Sequence, residues 1–105
     1  MSGPNRGEVW WGAMEDVGKR PYLILSRSTV ISVIDTLVMV PVTRSRRGIP
    51  SELELDESDG MPVPCVATFD NIQALPKSGL VGWITALDPI RMADACVALR
   101  AAVDC

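Results

Sequence analysis

The chain has 105 residues, which suits one domain and leaves little room for a second. Hydrophobic residues make up 48% and charged residues 22%, a balance typical of globular proteins that argues against global disorder. The sequence has no apolar run long enough for a membrane-spanning helix and no apolar segment of a secretory signal at its start, so we expect a cytoplasmic protein.

The formal net charge of −3 would by itself argue against a nucleic-acid ligand, but the charge is unevenly distributed. Residues 1–47 carry seven basic and four acidic side chains, a balance of +3, whereas residues 48–105 carry three and nine, a balance of −6. A phosphate group responds to charges within roughly one Debye length, about 8–10 Å in physiological salt. The first half can therefore hold RNA, although solvated loop charges would give the same pattern.

Histidine is missing, and cysteine is sparse. The three cysteines, Cys65, Cys96 and Cys105, are widely spaced and form no CxxC pair. This spacing disfavours a disulfide framework and a zinc site, and the lack of histidine excludes a Cys–His nucleophile. We expect Cys65 and Cys96 to be small buried apolar side chains and Cys105 to be exposed.

The first half of the chain is predicted to form three short strands joined by polar segments. Aromatic and β-branched residues in apolar runs carry this prediction. The strands are Glu8–Ala13, Tyr22–Arg27 and Thr36–Val42, with loops at Met14–Lys19 and Thr43–Pro50 and an ambiguous segment at Ser28–Ser32 that fits one helical turn.

Two prolines constrain these strands. Pro21 fixes its own φ and biases Arg20 toward an extended conformation at the entrance to the second strand. Pro41 lies inside the third strand, where proline is tolerable only at an edge or a bulge because it cannot donate to a β-ladder.

The second half begins with further short strands. Ser51–Leu55 alternates leucine with glutamate, which indicates a half-buried strand. We expect an acidic turn at Asp56–Gly60, one bent strand or two short ones over Met61–Phe69 and Asp70–Leu75, and a strand at Gly79–Thr85. The acidic residues between positions 52 and 59 fit a solvated strand face and turn better than a metal site, so no metal or cofactor is expected.

A helix over residues 88–103 closes the chain, with Asp88 as N-cap and Pro89 at the first helical position. Its apolar stripe, at helical spacing, is expected to face the core and consists of Met92, Cys96, Leu99 and Val103. Short strands with Gly/Pro turns followed by one helix indicate a mainly β fold, a small β-barrel with a packed C-terminal helix. We expect residues 1–105 to form one domain, with residues 1–5 as a disordered tail.

The segments Arg6–Trp11, Lys19–Ser26 and Val38–Thr43 together resemble the MazF/PemK family, the ribonuclease toxins of bacterial type II toxin–antitoxin systems. The resemblance implies an SH3-like barrel and a homodimer with single-stranded RNA in a groove between subunits, which a cognate antitoxin blocks. It also implies metal-independent cleavage that leaves 2′,3′-cyclic phosphate and 5′-hydroxyl ends. The loop before Arg20 is shorter than in many members, so cleavage specificity does not carry over.

An arginine and a hydroxyl at strand ends suit phosphate chemistry without a metal or an imidazole, because guanidinium stays charged and its fork matches two phosphate oxygens. By the resemblance, Arg20 matches the catalytic arginine of the family's K/H-R-P segment, and Thr43 matches the threonine of its V-P-x-T segment. The expected substrate-binding residues are Lys19, Ser26, Arg44, Arg46, Arg47, Asp70 and Asn71, and either Trp11 or Phe69 could stack on a base or belong to the core.

The general base is unassigned. Some relatives have an Arg-x-Asp pair at the strand that contains Asp70, but Thr68 stands here at the arginine position. Asp70 could orient Arg20, hydrogen-bond a base, or be a plain turn residue.

Two other functions are compatible with these patterns. The chain could be a non-catalytic small-barrel module that binds an extended peptide or nucleic acid. It could also resemble toxins of the same fold that inhibit DNA gyrase.

Overall fold

The computed structural model describes residues 3–14 and 18–104, and within them short strands are followed by one long helix. The seven strands are β1 Glu8–Met14, β2 Gly18–Ile24, β3 Thr36–Thr43, β4 Glu52–Leu55, β5 Cys65–Thr68, β6 Gln73–Pro76 and β7 Leu80–Ala86. Helix α1, Ser28–Ile31, is the single turn that fits the ambiguous segment, and α2 spans Pro89–Val103. In the described part of the chain, no helix combines the length and apolarity needed to cross a membrane.

All strand pairs are antiparallel, in the order β4–β5–β3–β2–β1–β7, with β6 as a further neighbour of β3. The sheet curls until its two ends meet. At the end of β7 the Thr85 hydroxyl donates to the Asp59 carbonyl at 2.8 Å, and Arg91 of α2 donates to the Asp59 carboxylate at 2.9 Å and to the Glu54 carbonyl. The prediction of a mainly β fold with a C-terminal helix is therefore confirmed.

Each face of the curled sheet has an apolar core. The core under α2 includes Val9, Leu23, Val40, Val42 and Phe69 from the sheet region and Ala95 and Ala98 from the helix. The core on the opposite face consists of Tyr22, Ile24, Ile31, Leu37 and Met39. Strands β2 and β3 therefore have buried side chains on both faces, which explains their nearly continuous apolar runs.

The start of α2 is as predicted, and its predicted apolar stripe is confirmed in part, since Met92 and Leu99 are partly buried and pack against the core. Asp88 accepts a hydrogen bond from the Arg91 N–H at 2.8 Å, and Pro89 is the first helical residue. The fully buried positions are Ala95 and Ala98, whereas Val103, predicted in the core stripe, is 52% exposed. Small alanine side chains let the helix lie close to the sheet, so the contact centres on them instead of on the larger residues.

Several predicted boundaries were wrong. Met14 pairs with Gly18, so Gly18 and Lys19 belong to β2 and not to a loop, while residues 25–27 lie beyond its end. A 3₁₀ turn at Phe69–Asn71 separates β5 from β6, so this region forms two short strands and not one bent strand. Residues 61–64, which were predicted to belong to the first of them, have no regular structure. Asn5, predicted in the tail, donates its N–H to the Glu8 carboxylate at 2.9 Å.

The predictions for cysteine had mixed outcomes. Cys65 is buried, as expected, whereas Cys96 is only half-buried and lies within 3.9 Å of the Arg6 guanidinium. Cys105 and the first two residues of the predicted tail lie outside the described residues, as does the middle of the predicted loop, 15–17.

Pro41 lies where β3 changes partner. Residues up to Met39 pair with β6, and pairing with β5 begins at Val42, so Pro41 falls in the gap between the two. Its carbonyl accepts a hydrogen bond from the buried Thr68 hydroxyl at 3.3 Å. Because backbone N and O of one strand residue point to the same side, the missing N–H of Pro41 also faces this gap.

Thr68→Val is expected to lower the free energy of unfolding by about 1–2 kcal/mol, because it leaves a buried carbonyl unpaired while keeping the side-chain shape. Urea denaturation would measure the loss. Thr36→Val is the matched control, since Thr36 is an exposed residue of the same sheet, and should stay within about 0.5 kcal/mol of the parent. Equal stability of the two variants would contradict this role of Thr68.

Candidate active site

The ladder between β2 and β3 ends at Pro21. Its pairs are Ile24–Met39, Leu23–Val40 and Tyr22–Pro41. The Leu25 N–H donates to the Val38 carbonyl at 2.9 Å, so the odd-numbered residues of β2 direct their backbone groups toward β3. The next donor in this series would be the N–H of Pro21, which proline lacks. The paired register of β2 and β3 therefore ends here.

A cleft of about 480 Å³ lies beyond this point. The same register, continued by two residues, puts Arg20 opposite Thr43, and both line the cleft. Lys19 and Arg44 flank them, and Trp11 contributes from β1. The structure thus brings together the two predicted catalytic side chains and two of the predicted substrate-binding ones.

The strand that carries Arg20 is anchored by the buried side chain of Tyr22. Its neighbour on the same face of β2, Tyr22, is 1% exposed, and a Cβ at Gly12 would lie 2.6 Å from the Tyr22 ring. Glycine at position 12 is therefore required for the ring to pack under the arginine. Burial raises the pKa of Tyr22, and the nearby Arg20 charge acts in the opposite direction. No carboxylate among the described residues forms an ion pair with Arg20, so its guanidinium can serve an anionic ligand.

The Thr43 hydroxyl is oriented by a local turn. Its oxygen accepts a hydrogen bond from the Ser45 N–H at 3.3 Å. A hydroxyl that accepts through one lone pair keeps its hydrogen for donation. Thr43 can therefore donate to a phosphate oxygen or to a 2′-oxygen in the cleft.

One aromatic side chain lines the cleft. The Lys19 ammonium lies 5.1 Å from the centroid of the Trp11 ring, within cation–π range. Phe69, the other residue considered for stacking, is 0% exposed and belongs to the core. A role in base stacking is thus ruled out for Phe69 and is geometrically open to Trp11.

The three arginines that follow β3 do not all reach the cleft. Arg44 lines the cleft, whereas Arg46 forms an ion pair with Glu54 at 2.7 Å. The Arg47 N–H donates to the Glu52 carboxylate at 2.9 Å, which holds this segment along the strand. Arg46 and Arg47 therefore lie progressively farther from Thr43 and do not line the cleft.

Three predicted binding residues lie elsewhere. Ser26 is at the opposite end of β2, where its hydroxyl oxygen accepts from the Val38 N–H at 2.8 Å. Asp70 and Asn71 follow the end of β5 that points away from the cleft, and Asp70 accepts from the Ser51 hydroxyl. Because Cys65 at the start of β5 lines the cleft, Asp70 is too far along the strand to orient Arg20. It is a turn residue.

No sequence pattern predicted the residues of the far wall of the cleft. Met61, Pro62, Val63 and Cys65 form it, opposite β2. Strand signals made these residues look like part of a continuous strand, and only the pairing of β5 with β3 brings them to Thr43. In the described residues no three His, Cys, Asp or Glu side chains are grouped so that they could hold a metal ion.

Comparisons with known proteins identify the family of the chain. A family model described as PemK-like, MazF-like toxin of type II toxin–antitoxin system matches residues 5–103. The probable endoribonuclease MazF2 of Mycobacterium tuberculosis is 45% identical over 101 residues, covering 95% of this chain and 98% of that protein. The probable endoribonuclease MazF5 of the same species is 38% identical over 103 residues, covering 97% and 94%.

Solved structures are similar over nearly the whole chain. A mycobacterial endoribonuclease in complex with its cognate antitoxin has a TM-score of 0.85 at 30% identity, covering 96% of this chain and 95% of that one. MazF of Deinococcus radiodurans, at 22% identity and a TM-score of 0.83, covers 100% of both chains and shows likeness of fold alone. From the family match and the identity to these relatives, the chain belongs to the PemK-like, MazF-like toxins of type II toxin–antitoxin systems.

Proposed function

We propose that this toxin is an endoribonuclease that cleaves single-stranded RNA without a metal ion, using the 2′-hydroxyl of the substrate as nucleophile. The 2′-oxygen attacks the adjacent phosphorus, the bond to the 5′-oxygen breaks, and the proton lost by the 2′-hydroxyl is balanced by the one gained by the 5′-oxygen. The products are a 2′,3′-cyclic phosphate and a 5′-hydroxyl. The observation that carries the proposal is that Arg20 and Thr43 line one cleft, at positions that continue the register of β2 and β3.

In this mechanism the chain acts mainly through charge. Negative charge grows on the non-bridging phosphate oxygens in the transition state, and fixed donors aimed at that charge are often the largest catalytic contribution. Arg20 donates to both of these oxygens, and the Thr43 hydroxyl donates to one of them as well or orients the 2′-hydroxyl. Lys19 and Arg44 hold the neighbouring phosphates, and Trp11 offers a face for a base.

The partners follow from the relatives. A mycobacterial relative was solved in complex with its cognate antitoxin. We propose that this chain likewise forms a homodimer, binds RNA in a groove between subunits, and is blocked there by an antitoxin in the cytoplasm.

Arg20→Ala is expected to lower kcat/KM for RNA cleavage by about 10²–10³-fold, the effect of one lost transition-state donor. Cleavage would be followed with labelled single-stranded RNA in EDTA, which should leave the parent protein fully active. Arg100→Ala is the matched control, because it removes an exposed arginine of α2 and should cleave like the parent.

Full activity of the Arg20→Ala protein would refute the assigned site. Loss of all cleavage in EDTA would refute metal independence. RNA binding by the parent without any cleavage would favour the non-catalytic module instead.

Pro21→Ala tests how the cleft is formed. The alanine N–H can bond to Val42 and extend the β2–β3 ladder, which should narrow the cleft and lower kcat/KM by about 10-fold or more through misplacement of Arg20. Stability should stay within about 1 kcal/mol, since one added hydrogen bond offsets the lost proline rigidity. Pro76→Ala, at an exposed proline of β6, is the control for both quantities. Unchanged kinetics with Pro21→Ala would show that the cleft does not depend on Pro21.

A further inference from the structure

A second cavity, here called the side pocket, adjoins the cleft. It has a volume of about 390 Å³ and shares Arg44 and Cys65 with the cleft. This volume falls within the range of small-ligand sites, roughly 300–1,000 Å³. An RNA strand with its scissile phosphate at Arg20 continues beyond the cleft on both sides, and one side leads past Arg44 into this pocket.

The side pocket has three chemically different surfaces. Arg44 and Arg46 form a basic wall, and the floor between the walls is apolar. The acidic wall consists of Glu54, Asp56 and Glu57, of which Glu54 contacts Arg46 of the basic wall at 2.7 Å, and the floor consists of Leu55, Pro64, Cys65 and Val66. A nucleotide presents three matching surfaces, namely a charged phosphate, an apolar base face and a polar base edge.

The acidic wall is held in place by contacts outside the pocket. The Asp56 carboxylate accepts from the Ser58 N–H at 2.9 Å, and the Asp56 N–H donates to Asp59 at 3.1 Å. Arg91 binds Asp59 at 2.9 Å and also donates to the Glu54 carbonyl, with Asp59 only 8% exposed. The local turn thus holds the Asp56 carboxylate, and Arg91 holds the backbone of Glu54 and the carboxylate of Asp59, so the segment that carries the acidic wall has a defined position.

The acidic wall keeps much of its negative charge. The Arg46–Glu54 ion pair has side chains 63% and 62% exposed, so it is weak and open to exchange. Burial raises the pKa of the Cys65 thiol, and the charges of Asp59, Asp56 and Glu57 also raise it, while Arg44 lowers it. The pocket lining itself has three carboxylates, Glu54, Asp56 and Glu57, and two arginines, Arg44 and Arg46, a net charge of −1 that favours a ligand with hydrogen-bond donors.

We propose that the side pocket is a second nucleotide subsite that holds the base next to the scissile linkage by its N–H donors. This inference rests on the proposed RNA cleavage. Ionised carboxylates accept hydrogen bonds and donate none, so the pocket prefers bases with an exocyclic amino group, guanine, adenine or cytosine, over uracil. Guanine fits best, because its neighbouring N1–H and N2–H groups match the two oxygens of one carboxylate. Arg44 and Arg46 hold the adjoining phosphate.

The test is sequencing of the cleavage ends that the full-length protein makes in a randomised RNA pool. For the parent, one position beside the scissile linkage should favour amino-bearing bases over uracil by about 10-fold. The double variant Glu54→Gln, Glu57→Gln should lose this preference at that position alone. Asp35→Asn removes an exposed carboxylate between α1 and β3 and should keep the parent's pattern.

A second readout separates this role from structural damage. The double variant also removes two negative charges beside Arg44 and Arg46, so the KM for RNA should fall while base preference is lost. Damage to the fold would raise KM instead. Thermal melting of the variant would confirm that it is folded.

Each outcome decides the inference. An unchanged pattern in the folded double variant, or a parent that favours uracil at both neighbouring positions, overturns it while leaving the proposed cleavage intact. A parent that does not cleave RNA, or an Arg20→Ala protein that cleaves normally, overturns the proposed function and this inference with it.

Discussion

The backbone nitrogen of Pro21 carries no hydrogen, and the functional end of this molecule is organised around that missing donor. From Leu25 the ladder between β2 and β3 runs without interruption until it reaches the proline. No further pairs join these two strands beyond it in the described residues, and Arg20 and Thr43, which continue the same register, both line the cleft.

A second proline, Pro41, lies on the neighbouring strand β3. The N–H that it lacks would face the gap between β6 and β5. At Pro41 the partner of β3 changes from β6 to β5. The Thr68 hydroxyl donates to the Pro41 carbonyl, which would otherwise lack a hydrogen bond. That exchange brings the start of β5, and the segment before it, to the cleft. Thr68 thus has a structural task at the position where some relatives have an arginine, which is consistent with a mechanism that relies on Arg20 for transition-state charge.

The uneven charge of the chain also has a structural reason. Basic residues of the first half line one side of the cleft, and acidic residues of the second half form the turn at 56–59 that Arg91 ties to α2. The opposite charges meet at Arg44 and Cys65, between the cleft and the side pocket. Under the proposed function, an RNA strand that crosses this border would meet the cations of the cleft first and the carboxylates of the side pocket next, so the protein's net charge of −3 is compatible with RNA binding.

Local sequence determined the strands around Trp11, Tyr22 and Val40, the N-cap at Asp88 and the extended arginine–proline step at Arg20, because each depends on neighbouring residues alone. The MazF/PemK resemblance came from the same segments. Only the tertiary structure decided which residues share the cleft. Ser26 and Asp70 do not line the cleft, because they lie beyond the far ends of their strands. Met61–Val63 do line it, because strand pairing joins residues that are distant in sequence. The buried face of α2 was likewise set by how closely alanines allow the helix to approach the sheet, a property of packing that helical spacing does not contain.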